Sequence, residues 1–446
     1  LTVIERARQL LELGGIAVDI DNLPLDDAKT FGLMSRGETV GIFQFESSGM
    51  RNLLREAGAD NIEDIIALVA LFRPGPMENI PKYIGCKHGN EEPEFLHETI
   101  TPITKDTYGV IIYQEQVMQI AQVFAGYSLG QADLLRRAMG KKIKVEMAAH
   151  RQTFTAGAMM RGVDKARADY VFNLVDKFAG YGFNKAHSAG YALVAYQTAW
   201  LKANHPIAFM AAAMSLDRGN TDKLNIFRQE LARLQTPLHR PNINRSDVDF
   251  VVEGEVIRYA LAAIKNVGAA AMTEVVEERE ANGPFRDLFD FADRIDPRSL
   301  NKRQLENLAK AGAFDSLDPN RAQVVAAVDL LLRHSNLMRE EQASNQESLF
   351  GDEPVVSNPP LPVVAEWPMV ERLQNEFEAL GFYLSAHPLD AYAGVLEKAR
   401  VVSHTELEAR LRRGGGSHFK LAGTVLAKRE RSSARGNRYA FVQLSD

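Results

Sequence analysis

Over the first half of the chain, helix-spaced apolar runs follow one another, and no comparable strand pattern interrupts them until about residue 250. These runs are Asn61 to Phe72, ended by 73-RPGP-76; Tyr113 to Phe124; Asp133 to Arg161; Lys165 to Phe178; and Ser188 to Asn204, ended before Pro206. Proline donates no N–H and clashes with the preceding turn, so both of these stops are steric. The succession predicts a mainly α fold, with one large helical unit over residues 1–245. A β-like segment follows, 250-FVVEGEVIRYAL-261, with Gly254 at its turn. Two helix-turn-helix patterns come next, near 258–280 and 298–315. Residues 335–368 turn polar and proline-containing, a composition that buries too little apolar area to order itself, and they read as a flexible linker. A helix over Met369 to Leu380 precedes the final strands, which begin at Phe419 beyond the boundary glycines 414-GGG-416.

The chain has 446 residues. At about 150 residues per domain this length calls for about two to four units. A net charge of −6, with 25% charged residues, means that any nucleic-acid surface must be a local patch rather than a property of the whole chain. The single cysteine, Cys86, excludes an internal disulfide and a cysteine-based zinc site, and fits a reducing cytoplasm. No apolar run reaches the roughly 18 residues of a membrane span, and no signal-peptide pattern is present. Leu1 opens directly into a helical pattern, and 439-YAFVQLSD-446 reads as a strand without partners, so both ends predict a fragment.

One patch of the required kind is 134-LLRRAMGKKIK-144, with two arginines and three lysines. At about 100° per residue, Arg136, Gly140, Lys144, Arg137 and Lys141 share one helical arc of roughly 140°, away from Leu135 and Met139. A solvated basic face and a phosphate site both satisfy this pattern. The stretch 178-FAGYGFNKAHSAGY-191 sets glycines among aromatics ahead of a helix opening near Ser188. A helix N-terminus attracts phosphate, Tyr181 or Phe183 suits base stacking, and Lys185 and His187 suit a triphosphate. A packed turn with core aromatics is the competing reading. In 18-VDIDNLPLDD-27, Asp19 and Asp21 share a face if extended, but such residues also cluster in turns, and Asp21 or Asp26 suits a helix cap.

In 258-RYALAAIKNVGAAAMTEVVEER-279 a tight turn at Val267 and Gly268 is placed to offer backbone N–H groups to a phosphate. Asn266 holds a spot where glycine is usual, and asparagine tolerates positive φ. A second pattern, 300-LNKRQLENLAKAGAFDSL-317, is closed by Gly312. For both, a packing hairpin without a ligand is the alternative. Inside the linker, 346-QESLF-350 exposes Leu349 and Phe350 behind Gln346, which suggests a short docking peptide.

Taken together, 43-FQFES-47, 66-IALVALFRPGP-76, 108-YGVIIYQEQVMQIAQ-122, 134-LLRRAMGKK-142, 178-FAGYGFNKAHSAGYALVAYQT-198 and 262-AAIKNVG-268 closely resemble the bacterial C-family replicative polymerases, the DNA polymerase III α subunits. The motifs run through nearly the whole chain in the family's order. The resemblance implies the end of the palm and the fingers over 1–245, a tandem helix-hairpin-helix and clamp-binding region over 246–400, and a truncated OB-fold over 401–446. It places Arg136, Arg137, Tyr181 and His187, with Lys141 and Lys185, at the incoming dNTP. It places Lys142, Arg73, Asn266, Val267 and Gly268 on primer-template DNA, and Gln346, Leu349 and Phe350 on the sliding clamp (β subunit).

Contacts to other polymerase III holoenzyme subunits are implied as well. The family's reaction is attack of a primer 3′-hydroxyl on a dNTP, with Mg2+ on palm aspartates. Neither the P-D-x-D palm motif nor the third aspartate is in this chain, and Asp19 and Asp21 do not replace them. The resemblance therefore implies polymerisation by the intact enzyme and not by this piece. A non-enzymatic DNA-binding scaffold and an error-prone paralogue are the alternatives.

Overall fold

The structure is a computed structural model that describes residues 1–141, 144–178, 182–344, 358–412, 418–433 and 435–446; Lys141 and Lys144 are described by their backbone alone. The chain divides into two compact units, Leu1–Ala213 and Met214–Asp446. The division falls ahead of residue 245, where the sequence suggested the end of the first unit.

The first unit is helical: α1 (Thr2–Leu13), α2 (Ala28–Ser35), α3 (Ser48–Ala57), α4 (Ile62–Leu71), α5 (Ile80–Lys87), α6 (Thr101–Thr104), α7 (Gln114–Ala125), α8 (Leu129–Lys141), α9 (Lys144–Met160), α10 (Lys165–Phe178) and α11 (Lys185–Asn204). Its apolar residues form two cores. In one, α11 lies against α2 and α4, and every residue of α4 from Asp64 to Leu71 is buried. The only polar side chain among these is Asp64, which accepts hydrogen bonds from the Tyr83 hydroxyl (2.9 Å) and Lys87 Nζ (2.7 Å), as a buried carboxylate requires.

In the other core, α7 to α10 enclose Phe124, Phe154 and Phe172. Here α9 crosses α7 at Gly157, where an added Cβ would stand 2.0 Å from the Ala125 carbonyl oxygen. Gly157→Ala is expected to destabilise this unit by about 1–3 kcal/mol through overpacking, measured as a lowered denaturation midpoint. A parallel bridge joins the segments that lead into α7 and α11: the Gln114 N–H donates to the Phe183 carbonyl (2.9 Å) and the Phe183 N–H to the Ile112 carbonyl (3.4 Å).

The helix α12 (Pro206–Leu216) spans the division. The second unit contains α13 (Thr221–Arg233), β1 (Leu238–His239), β2 (Val251–Glu253), β3 (Val256–Arg258), α14 (Ala269–Asn282), α15 (Leu288–Arg294), α16 (Lys302–Ala311), α17 (Arg321–Ser344), α18 (Met369–Leu380), α19 (Ala393–Lys398), α20 (His404–Arg412), β4 (Thr424–Ser432) and β5 (Arg438–Ser445). Strands β2 and β3 form the expected hairpin about Gly254 (φ 60°), with β1 parallel to β3. Strands β4 and β5 form a separate antiparallel hairpin with an irregularity between Val425 and Ala427. Among the described residues helices predominate and these are the only sheets, so the fold is mainly α.

Several expectations change. The first arm of the 258–280 pattern is a 3-10 turn, Leu261–Ala263, rather than an α-helix. Residues 335–344, read as the start of the linker, continue α17. They do so because His334 and Ser335 are buried and anchored, His334 Nε2 by Asp293 Oδ1 (2.7 Å) and Ser335 Oγ by the Ile295 carbonyl (3.2 Å). The cap on α2 is Asp27, accepting from the Thr30 N–H at 3.0 Å, and not Asp21 or Asp26.

Candidate nucleic-acid interface

The described part of the basic patch, Arg136, Arg137 and Gly140 of α8, lies away from the core, as its spacing suggested. Leu135, Ala138 and Met139 are buried in the second core, whereas Arg137 and Gly140 are exposed and Arg136 is half-buried. The helix continues through Gly140 to Lys141. The two arginines share a counter-ion that sequence reasoning missed. Asp133 accepts from Arg136 Nη2 (2.7 Å) and Nε (2.9 Å) through one oxygen and pairs with Arg137 Nε (2.8 Å) through the other. Its i−3 and i−4 offsets from the arginines are the helical spacing that would have revealed it. Hydrogen bonding to Arg136, then the charges of both guanidinium groups, holds the Asp133 carboxyl below the usual carboxylate range. The cluster is therefore a pre-oriented pair of forks carrying one net positive charge.

A second group lies along the start of α11. His187 and Tyr191 lie one turn apart on α11 and so face one way, and Phe183 precedes the helix just ahead of its cap, Asn184. Their rings form a ladder, with centroids 5.4 Å apart for Phe183 and His187 and 4.5 Å apart for His187 and Tyr191. Phe43 extends the ladder at 5.4 Å from Tyr191, and the Arg73 guanidinium lies 4.1 Å above Phe183 at the other end. Arg73 is exposed, and its side chain makes no hydrogen bond or ion pair among the described residues, so no carboxylate there offsets its charge. Lys185 is committed locally, with Nζ 3.1 Å from Glu63 Oε2 and 5.4 Å from the centre of the buried Tyr113 ring. Burial raises the Tyr113 hydroxyl well above its ordinary pKa, so it stays neutral.

The N-terminus of α11, which suggested a phosphate seat, is already occupied. The His187 N–H donates to Asn184 Oδ1 (2.7 Å) and the Lys185 N–H to Glu115 Oε2 (2.9 Å), while Asn184 Nδ2 fixes the other Glu115 oxygen (2.8 Å). A carboxylate thus sits where an anion was expected. Glu115 is about 70 residues away in sequence, and no local signal announces it.

In the second unit, Asn266 adopts the left-handed conformation foreseen for it (φ 63°), with Val267 buried and Asn266 and Gly268 exposed. Gly268 starts α14 without a side-chain cap, so the first N–H groups of that helix face outward past small residues. The Lys265 N–H anchors this turn to the Ala379 carbonyl (2.9 Å). In the second pattern Gly312 ends α16 against Arg321 and Asp315, a packing arrangement.

No hydrogen bond, ion pair or ring contact joins Arg136 and Arg137 to the ladder among the described residues. Lys142, Tyr181, Gln346, Leu349 and Phe350 lie outside the described residues, as does the Lys141 side chain. Asp19 is used in a turn, accepting from the Asp21 N–H (3.2 Å) and Asn22 Nδ2 (2.8 Å). Among the described residues no group of three His, Cys, Asp or Glu side chains is placed to hold a metal ion. No helix among them is long and apolar enough to cross a membrane.

Residues 1–162 match the bacterial DNA polymerase III alpha subunit finger domain, and residues 235–324 match a helix-hairpin-helix motif. The DNA polymerase III subunit alpha of Caulobacter vibrioides is 50% identical over 446 residues, covering 100% of this chain and 39% of that protein. Those of Rickettsia prowazekii and Thermus aquaticus are 42% and 45% identical, with 100% of this chain matched to 41% and 37% of theirs. The chain thus spans about two fifths of the length of these relatives. The finger-domain match, the helix-hairpin-helix match and similarity along the whole of this chain agree in matching it to a segment of the bacterial DNA polymerase III alpha subunits.

Proposed function

We propose that this chain is the nucleotide- and DNA-holding part of a replicative DNA-directed DNA polymerase. The observation that carries this reading is the Arg136–Asp133–Arg137 cluster, two outward-facing guanidinium forks on a helix whose other face is core. Arginine stays charged and binds phosphate oxygens in pairs, which suits a dNTP triphosphate. Asp133 keeps both forks extended before the ligand arrives, and the more highly charged triphosphate outcompetes it for their donors. As the primer 3′-oxygen bonds to the α-phosphorus and pyrophosphate leaves, the forks stay on the departing negative charge. Nucleotide affinity in single-turnover incorporation is the quantity that tests this.

His187, Lys185 and, by resemblance, Tyr181 and Lys141 belong to the same nucleotide surface, with Arg73 and Lys142 on the primer-template. Of Arg73 and Lys185, Arg73 is the more available cation, because its side chain has no carboxylate partner among the described residues. The uncapped turn at Asn266, Val267 and Gly268 suits sequence-independent contact to a DNA phosphate. The family's reaction uses divalent metal, Mg2+ in this reading, and its ligands are assigned to no residue of this chain.

The assignment of domains follows the family: palm end and fingers over 1–245, helix-hairpin-helix and clamp-binding region over 246–400, and an OB-fold that begins with β4 and β5. The working compartment is the cytoplasm, and other holoenzyme subunits are further partners. Gln346, Leu349 and Phe350 form the sliding-clamp peptide. In the full-length subunit, replacing Leu349 and Phe350 with alanine is expected to remove clamp stimulation of primer extension and leave clamp-free extension intact. Clamp-stimulated synthesis at the unsubstituted level would contradict that assignment.

A further inference from the structure

The segment 43-FQFES-47 has no part in the function above, yet it carries an unusual backbone. Gln44 lies at φ 65°, in the left-handed region that side chains other than glycine, asparagine and aspartate seldom adopt. The conformation is imposed from both sides. Ile42 and Phe45 are fully buried, the Phe45 carbonyl accepts from the buried Thr39 hydroxyl (2.7 Å), and the Phe43 N–H donates to Thr198 Oγ1 of α11 (3.3 Å). Held in this way, Gln44 is exposed, and its amide has no partner among the described residues. Phe43, also exposed, is the outer rung of the ladder that runs through Tyr191, His187 and Phe183 to Arg73. Backbone strain of this kind persists where the surroundings over-determine it, and it clusters at functional sites.

We propose that Phe43 and Gln44 form a nucleobase contact for the primer-template, with one base stacking on Phe43 and the Gln44 amide hydrogen-bonding to that base's edge. The proposal rests on the polymerase reading above. A base fits better than a phosphate because both side chains are neutral, whereas the cation of the surface, Arg73, is at the opposite end of the ladder. Aromatic stacking accepts any base, and a carboxamide supplies both donor and acceptor, so the pair suits a strand of variable sequence. The left-handed backbone at Gln44 leaves that residue exposed directly after Phe43.

The test uses primer-templates carrying a single abasic residue, moved one nucleotide at a time through the duplex and the first unpaired template positions. Binding is measured for the full-length subunit and for its Phe43→Ala and Gln44→Gly forms. Glycine removes the amide but accepts the left-handed backbone, so the melting temperature of Gln44→Gly is expected at or above that of the parent. The unsubstituted subunit is expected to lose about tenfold in affinity at one abasic position. Both variants should bind the intact primer-template about tenfold more weakly and show no further loss at that position, as coupling through one contact requires. Variants that bind the intact primer-template like the parent, or that retain the positional loss in full, overturn the contact. If the unsubstituted subunit extends primers while the variants behave in that way, the polymerase reading stands and only this contact fails. An unsubstituted subunit that neither binds nor extends primers removes both.

Discussion

Replacing Glu376 with alanine is expected to destabilise the Met214–Asp446 unit by about 3–5 kcal/mol, the cost of breaking a buried ion pair from one side. Glu376 is fully buried in α18. One of its oxygens accepts the Leu384 and Ser385 N–H groups, each at 2.8 Å. The other accepts the Ser385 hydroxyl (2.7 Å) and faces Arg321 Nη1 at 3.4 Å. Arg321 is itself buried and held by Asp315 at 2.7 and 2.8 Å. Alanine would orphan two backbone donors and leave Arg321 with a single carboxylate. The neighbouring Glu378 supplies a control. It is exposed and pairs with Lys310 Nζ at 2.9 Å, so Glu378→Ala should change stability by less than about 1 kcal/mol. Chemical denaturation of the two variants side by side checks the difference. Equal midpoints would show that the Arg321–Glu376 centre does not hold this unit together.

The fold was legible where local chemistry decides it. The span of α18 follows from Pro368 before it and Gly381 after it, the latter in the left-handed conformation at φ 89°. The backbone of Asn266 followed from its place in a tight turn, and the placement of Arg136 and Arg137 away from the core face of α8 from periodicity alone. Failures came where distant residues decide. Nothing near His334 and Ser335 shows that Asp293 and Ile295 will bury them and carry α17 on to Ser344. Residues 262–268 have the composition of a helix end, but the Lys265 N–H is drawn to Ala379, more than a hundred residues later, and only a 3-10 turn forms there.

At the candidate site the cations were easier to read than the anions that manage them. Runs of arginine and lysine stand out in a sequence, whereas Glu115 at the start of α11 becomes visible only when two segments pair. Asp133 was within reach of the helical spacing rule but did not enter a reading built around positive charge. The ladder illustrates the same division. Its i, i+4 rungs on α11 are implicit in the sequence, but Phe43 and Arg73 reach it from elsewhere in the chain.

The largest functional effect is expected from Arg136 and Arg137 together. Each charge-assisted hydrogen bond to phosphate contributes about 2 kcal/mol, so removing both forks should weaken nucleotide binding at least about a hundredfold. A further loss comes from Asp133, because the double alanine variant leaves its carboxylate unpaired and turns the local charge from one positive to one negative. Arg136→Lys keeps the charge without the fork and should fall between the two, since a lysine binds phosphate as a point charge. The helix should persist, because its core contacts through Leu135, Ala138 and Met139 are untouched.

The decisive measurement is single-turnover dNTP incorporation by the full-length subunit carrying Arg136→Ala and Arg137→Ala. An apparent nucleotide Kd raised at least about a hundredfold, with primer-template affinity changed by only a few-fold, is the predicted result. Wild-type nucleotide affinity in that variant would contradict the assignment of the Arg136–Asp133–Arg137 cluster to the incoming nucleotide.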